Sequence, residues 1–265
     1  MKPLADFPRA ARAAIRGVLL DIDDTLTSAG RLTAHAYGAL ERLKAAGLLV
    51  VPVTGRPAGW CDHIARMWPV DGVVGENGAL YFAHDALQRK LVQRYIASEN
   101  ERAARKTQLT EIAARIVREV PGCALASDQD YRVADIAIDF CEDVPALARG
   151  DVERIAQLMR EAGLTAKISS IHVNGWFGGY DKLSTTRLFL EERCGIDLDN
   201  EKAHFVFVGD SPNDAPMFEF FPHAVGVANV RDFADWMPLL PAYVTPGRCG
   251  EGFAELAEAL LEARR

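Results

Sequence analysis

The sequence predicts an α/β fold: a doubly wound parallel sheet that carries an inserted, smaller α+β unit. Two observations predict it. Apolar runs ending in polar turns recur at 17–22 (GVLLDI), 48–53 (LLVVPV), 204–209 (HFVFVG) and 224–228 (AVGVA), with amphipathic helical patterns after or between them. Continuous apolar strands alternating with helices describe a parallel sheet covered on both faces, because a strand with one wet face alternates instead. The second observation is that the middle of the chain breaks this order and reads α-β-β-α-β-β, which suits an antiparallel sheet with its helices on one face.

Taken along the chain, the first strand at 17–22 is followed by a helix over 33–46, with Ala36, Leu40 and Leu43 on one face. The second strand leads through a turn to a helix over 57–67 that Pro57 opens, since proline suits a first helical turn. A long charged helix is expected from about 97 to 120, then alternating residues at 132–140 (RVADIAIDF), a helix at 149–162 and strand-like residues at 164–174. Helices at 182–194, 213–220 and 250–264 complete the parallel half. The inserted unit is therefore expected at 84–180, between core segments 1–83 and 181–265.

Composition sets outer limits. The 265 residues are 49% hydrophobic and 25% charged, as in ordinary globular proteins, and the formal charge of −7 argues against a nucleic-acid or anionic-membrane surface, which needs a basic field. Cys61, Cys123, Cys141, Cys194 and Cys249 are widely spaced, with no Cys-x-x-Cys pair to hold zinc or form a redox couple, so free thiols in a reducing cytoplasm are expected. The apolar run after Arg9, Arg12 and Arg16 is cut short by Asp21, which fits neither a signal h-region nor a membrane span.

Ligands of open parallel sheets collect where strand ends lead into helix N-termini. Four polar clusters fall there: DIDDT at 21–25, TGR at 54–56, Asp181-Lys182, and GDSPND at 209–214. Asp21 and Asp23 are two apart, which in extended geometry points both side chains to one side. An EF-hand loop is excluded, because its sixth position is Leu26 instead of glycine and its twelfth is Leu32 instead of glutamate. Asp210 and Asp214 flank a helix start with Ser211 as N-cap and Pro212 first in the helix, so Asp214 suits either a capping box or a ligand role. Oxygen ligands from Asp21 and Asp210 suit octahedral Mg2+, and no histidine cluster recommends zinc. Thr54 and Gly55 offer a hydroxyl and close backbone approach for phosphate oxygens at a helix N-terminus.

Asp21-Ile22-Asp23-Asp24-Thr25, Thr54-Gly55-Arg56, Lys182 and Gly209-Asp210-Ser211-Pro212-Asn213-Asp214 resemble the four ordered motifs of the haloacid dehalogenase superfamily. With Glu76-Asn77-Gly78-Ala79 ahead of the insertion, the chain is similar to the Cof-like branch, subfamily IIB, whose Rossmann-like core carries a C2B cap. The resemblance implies that Asp21 attacks phosphorus to form an aspartyl phosphate and that Asp23 protonates the leaving alkoxide and then activates water. It implies that Thr54, with Gly55 and Arg56, binds the phosphoryl group or substrate and that Lys182 offsets negative charge. It also implies that Mg2+ takes Asp21, the backbone carbonyl of Asp23, Asp210 and Asp214, with Asn213 supporting the phosphate. Asp24 departs from the glycine common at that position and is left out of the set.

The resulting expectation is a cytoplasmic, magnesium-dependent phosphatase acting on a small phosphorylated metabolite, a sugar phosphate, with no nucleic-acid or membrane partner. Unaided phosphate-monoester hydrolysis needs acceleration approaching ~10²¹-fold, which covalent catalysis with a metal and a lysine answers. A phosphomutase of the same branch and a non-catalytic phospho-ligand sensor are the alternatives; a sensor has no need of Asp23. Substrate choice is expected in the insertion, where His172 and Asn174 share a strand face and suit sugar hydroxyls, with Asp128, Asp130 and Arg132 as further candidates. The oligomeric state is not legible in the sequence.

Overall fold

The computed structural model describes all 265 residues. The chain begins with a short strand β1 (Lys2–Pro3) and helix α1 (Arg9–Ala14), which lead to the central strand β2 (Gly17–Leu20). Helix α2 (Ala34–Ala45) starts where the Thr33 hydroxyl accepts from the Ala36 amide, satisfying an otherwise orphaned donor. Strand β3 (Leu49–Pro52), helix α3 (Ala58–Met67) and strand β4 (Val73–Gly75) follow, then a hairpin of β5 (Leu80–Asp85) and β6 (Lys90–Tyr95).

Helix α4 (Glu99–Glu119) opens with a capping box between Ser98 and Glu101. Beyond it come β7 (Ala124–Leu125), β8 (Asp135–Asp139), α5 (Arg149–Glu161), β9 (Thr165–Ile168) and β10 (His172–Trp176). Helix α6 (Lys182–Cys194) has a second capping box, Asp181 with Ser184, and stops at Gly195 in the left-handed region. The chain ends with α7 (Leu198–Glu201), β11 (Phe205–Gly209), α8 (Ala215–Phe220), β12 (Val225–Gly226), β13 (Tyr243–Val244) and α9 (Cys249–Ala263).

Six strands form a parallel sheet in the order β1-β13-β12-β11-β2-β3. Its central strands are buried on both sides. Val18, Leu20, Val206 and Val208 pack with Leu40, Leu43, Phe253 and Leu256 of α2 and α9, while Leu19, Phe205 and Phe207 pack with Phe189 and Leu190 of α6 and Met217 and Phe218 of α8. Side chains that alternate between two helix layers are what a doubly wound sheet requires.

The middle of the chain builds a four-stranded antiparallel sheet in the order β7-β8-β10-β9. Ile136, Ile138 and Val173 turn toward Ile116, Val152, Ile155 and Met159 of α4 and α5. The opposite pleat carries Asp135, Asp139, His172 and Asn174, all buried, and that face meets the sheet edge where the sequence clusters converge.

Two details differ from the sequence expectation. Strand β2 ends at Leu20, two residues early, because the Ile22 carbonyl accepts from the Leu26 and Thr27 amides and Asp24 turns the chain at φ 54°. The 80–95 hairpin, which short mixed patterns concealed, pairs antiparallel with β4, and β4 touches the parallel sheet through the Val53–Val74 bridge. Its ladder runs straight across position 84, where the insertion was expected to begin.

Candidate active site

Strands β2 and β11 are adjacent and parallel, with Leu20 opposite Val208, so the residues that follow them emerge side by side. Asp21 extends the ladder by one amide bond to the Val208 carbonyl (2.9 Å), and Asp210 follows Gly209. A single 3-10 turn, Pro212–Asp214, capped by Ser211, brings Asp214 back so that its Oδ2 accepts from the amides of Asp210 (3.0 Å) and Ser211 (3.3 Å). Gly209 is required there, since a Cβ would lie 2.3 Å from Asp214 Oδ2. Asp214 thus caps the turn through Oδ2 and leaves Oδ1 facing Lys182.

Oxygens of Asp21, Asp210 and Asp214 lie within 4.8 Å of one another, and all three residues are buried. Lys182, at the first position of α6, donates to Asp21 Oδ1 and Asp214 Oδ1, each at 2.7 Å. Burial works against the Lys182 charge, but Asp21 and Asp214 outweigh it and hold the ammonium above its ordinary range. Burial and the neighbouring carboxylates push Asp21 up to about 8 despite Lys182. Asp210 is raised as well, by burial and then by Asp21 and Asp214, and its own contacts are the neutral donors Thr25 Oγ1 (3.2 Å) and Asn229 Nδ2 (3.0 Å). Three buried carboxylates facing one lysine form a hard-oxygen set short of positive charge, which fits a divalent cation such as Mg2+.

The Asp23 side chain lies beside this triad but outside it, in the same cavity as Asp21. Its oxygens accept from Arg56 Nε (2.9 Å) and Nη2 (2.8 Å), and the same guanidinium donates to Asp128 (3.2 Å) and to Glu142 (2.5 Å). Burial opposes the charge of Arg56, yet Asp23 and Glu142 more than offset it. Arg56, expected to contact substrate directly, therefore spends its donors on carboxylates and joins the sheet edge to the insertion. The Thr54 hydroxyl accepts from the Arg56 amide (3.0 Å), and Gly55 leaves room for Asn77, whose Nδ2 would stand 3.1 Å from an added Cβ.

His172 and Asn174 do reach the site: with Asp21, Asp23, Arg56 and Asn213 they line one cavity. Asn174 Nδ2 donates to Asp135 (3.0 Å), and His172 Nε2 lies 2.9 Å from Glu142 Oε2 without hydrogen-bond geometry and without another partner. Asp128 and Arg132 are buried in an ion network with Asp135, and Arg132 also donates to the Gly55 carbonyl (2.9 Å), so they brace the insertion against the core. Asp130 lines a separate groove beside α4, away from the site, which removes it as a candidate.

Four residues near the site were not among the candidates read from the sequence. Glu142 and Asn229 meet their partners only in the folded chain. Asn77 accepts from Asn213 Nδ2 (3.3 Å) and keeps a buried, unpartnered Nδ2 of its own. Glu76 accepts from the amides of Ala58 (2.9 Å), Val133 (3.0 Å) and Ala134 (2.7 Å), tying core to insertion. The Glu76-Asn77-Gly78-Ala79 stretch was visible, but only as a family resemblance.

At this sheet edge the comparisons agree on a class: residues 18–113 match the family model of haloacid dehalogenase-like hydrolases. Among curated relatives, the chain is 27% identical over 254 residues to the phosphoglycolate phosphatase of Methanospirillum hungatei, covering 91% of this chain and 95% of the relative. The phosphoglycolate phosphatase of Archaeoglobus fulgidus is 26% identical over 252 residues, with 92% and 96% covered. A HAD/COF-like hydrolase from Plasmodium vivax has the same fold at TM-score 0.67 and 17% identity, over 94% of this chain and 96% of that one. The Synechocystis sucrose-phosphatase, solved with sucrose and phosphate, follows at TM-score 0.59 and 14% identity, over 92% and 97%. No helix is long and apolar enough to cross a membrane.

Proposed function

We propose that this chain is a magnesium-dependent phosphatase that hydrolyses a small phosphorylated metabolite, a sugar phosphate, through an aspartyl phosphate on Asp21. The observation that carries this reading is the buried Asp21, Asp210 and Asp214 triad against a single lysine, with Asp23 held beside it on Arg56. The curated relatives named as phosphatases support the reaction class.

A nucleophilic carboxylate must be ionised, and burial raises Asp21 to about 8. Mg2+ held by Asp21, Asp210 and Asp214, with the Asp23 carbonyl, would supply the charge that keeps Asp21 ionised and neutralises phosphoryl oxygens. An Asp21 oxygen attacks phosphorus as the ester P–O bond breaks, and Asp23 gives its proton to the leaving alkoxide. Asp23 then takes a proton from water as that water attacks phosphorus and the P–O bond to Asp21 breaks, freeing phosphate and restoring both carboxyls. Lys182, Thr54 and Asn213 hold the phosphoryl group, and the insertion, which we place at about 97–180, limits access of bulk water.

The deciding experiment is inorganic phosphate release from a panel of phosphorylated metabolites, with Mg2+ or EDTA, for wild type and Asp21→Asn. The reading expects turnover that EDTA and the substitution each abolish. Metal-independent turnover, or full activity in Asp21→Asn, would sink it. Conserved total ester phosphate, with dependence on a bisphosphate, would identify a mutase instead.

A further inference from the structure

We propose that the leaving-group side of this site selects esters of uncharged, hydroxyl-bearing molecules over esters of carboxylates, and that Glu142 sets this preference. The inference rests on the phosphatase reading above. It separates this chain from the curated relatives named phosphoglycolate phosphatase, since a glycolate leaving group carries a carboxylate.

The argument starts from the fate of each cation around the cavity. Lys182 is committed to Asp21 and Asp214 on the phosphoryl side. The Arg56 guanidinium, which borders the leaving-group side, is shared among Asp23, Asp128 and Glu142. Arg132 is buried between Asp128 and Asp135. Outward from Asp23 the mouth is lined by Asp24, Glu142 and Asp143, with Arg31 exposed at its rim. A carboxylate entering there meets carboxylates and finds no buried cation free to pair with it, and such like-charge contact is an effective means of rejection.

The same groups suit a hydroxyl. Burial would raise Glu142, but its contacts with His172 and Arg56 outweigh this and hold it down at about 2, so it is an ionised acceptor. His172, 2% exposed, lines the cavity with its Nε2 2.9 Å from Glu142 Oε2 but outside hydrogen-bond geometry. A hydroxyl that donates to Glu142 and engages His172 Nε2 satisfies both, and an ionised carboxylate has no proton to donate.

A matched pair of esters tests this: glycerol 3-phosphate and 3-phosphoglycerate, which differ by a hydroxymethyl against a carboxylate. Phosphate release is measured at saturating Mg2+ for wild type and Glu142→Gln, with p-nitrophenyl phosphate as a general ester. Wild type should favour glycerol 3-phosphate in kcat/KM by about tenfold or more, equivalent to ~1.4 kcal/mol. Glu142→Gln should narrow that ratio. A wild type that prefers 3-phosphoglycerate, or a folded Glu142→Gln with an unchanged ratio, overturns the proposal. If the variant does not fold, the wild-type ratio between low and high salt decides instead: screening should shrink it, and a salt-independent ratio overturns the proposal. Release from none of the three esters, and from none of the wider metabolite panel, would fell the phosphatase reading itself, which is a different outcome.

Discussion

The Lys182 ammonium lies 2.7 Å from Asp21 Oδ1, joining the first turn of α6 to the end of the central strand across 161 positions of sequence. Asp214 shares the same ammonium at 2.7 Å, so one buried cation serves two buried carboxylates. Removing a partner from such a set strands the other charges in a low-dielectric site, at a cost of about 3–5 kcal/mol. Lys182→Met, which keeps length and loses charge, should lower metal-free stability by that order and cut phosphate release by roughly 10²–10³. Urea melts and initial rates check the two effects separately.

Asn229 is the neutral donor that aims Asp210. Its Nδ2 reaches Asp210 Oδ2 (3.0 Å) and the Asp24 carbonyl (2.9 Å), while its Oδ1 accepts from the Cys249 amide (2.9 Å). Groups that orient a metal-binding carboxylate typically matter by about 10–100-fold in metal affinity. Asn229→Ala should raise the Mg2+ concentration for half-maximal activity by that factor. Calorimetric Mg2+ titration gives the same comparison without turnover, and equal affinities in the two proteins would dismiss this role.

Glu76 should make stability fall as pH rises. Burial, with Asp135 adding to it, lifts its carboxyl from an ordinary 4.5 to about 7. Between those values the folded chain holds a proton that the unfolded chain has lost, so this contribution is fullest below about 4.5, declines through the interval and levels off above about 7. One such group gives a slope of at most about 1.4 kcal/mol per pH unit. Urea midpoints between pH 5 and pH 8, at saturating Mg2+, should show a weaker decline for Glu76→Gln than for wild type. Equal slopes would mean that another group titrates.

Gly78 should not tolerate a side chain. Its φ is 104°, and a Cβ would lie 2.1 Å from the Asp181 carbonyl, at the cap of the helix that carries Lys182. Backbone strain of this kind costs about 1–3 kcal/mol, and a backbone atom cannot step aside as a side-chain tip can. Gly78→Ala should therefore lose at least that much stability in thermal melts. It should also lose kcat in the fraction that stays folded, because Lys182 shifts with its helix.

Much of this arrangement is local and was readable. Buried apolar runs at β2, β3 and β11, alternation in β8, and the capping signal at Ser211 each act within a few residues, which is why periodicity and spacing found them. The Asp24 departure from glycine is also local, since aspartate tolerates the positive φ of 54° found there. The 80–95 hairpin escaped notice because β5 is buried through its first four positions while β6 has no fully buried position, so neither strand shows a clean period.

By itself, the sequence determined the central parallel strands, their helices and the delivery of Asp21, Asp210 and Asp214 to one edge, because chain direction in a parallel sheet puts every strand end on the same side. Tertiary structure alone decided the charge state of the site and the partners of its second carboxylate. Arg56 reaches Glu142 across 86 positions and Asn229 reaches Asp24 across 205. Burial and electrostatic pairing depend on distance in space, and residues so far apart in sequence meet only once the core has closed and the insertion has packed onto it.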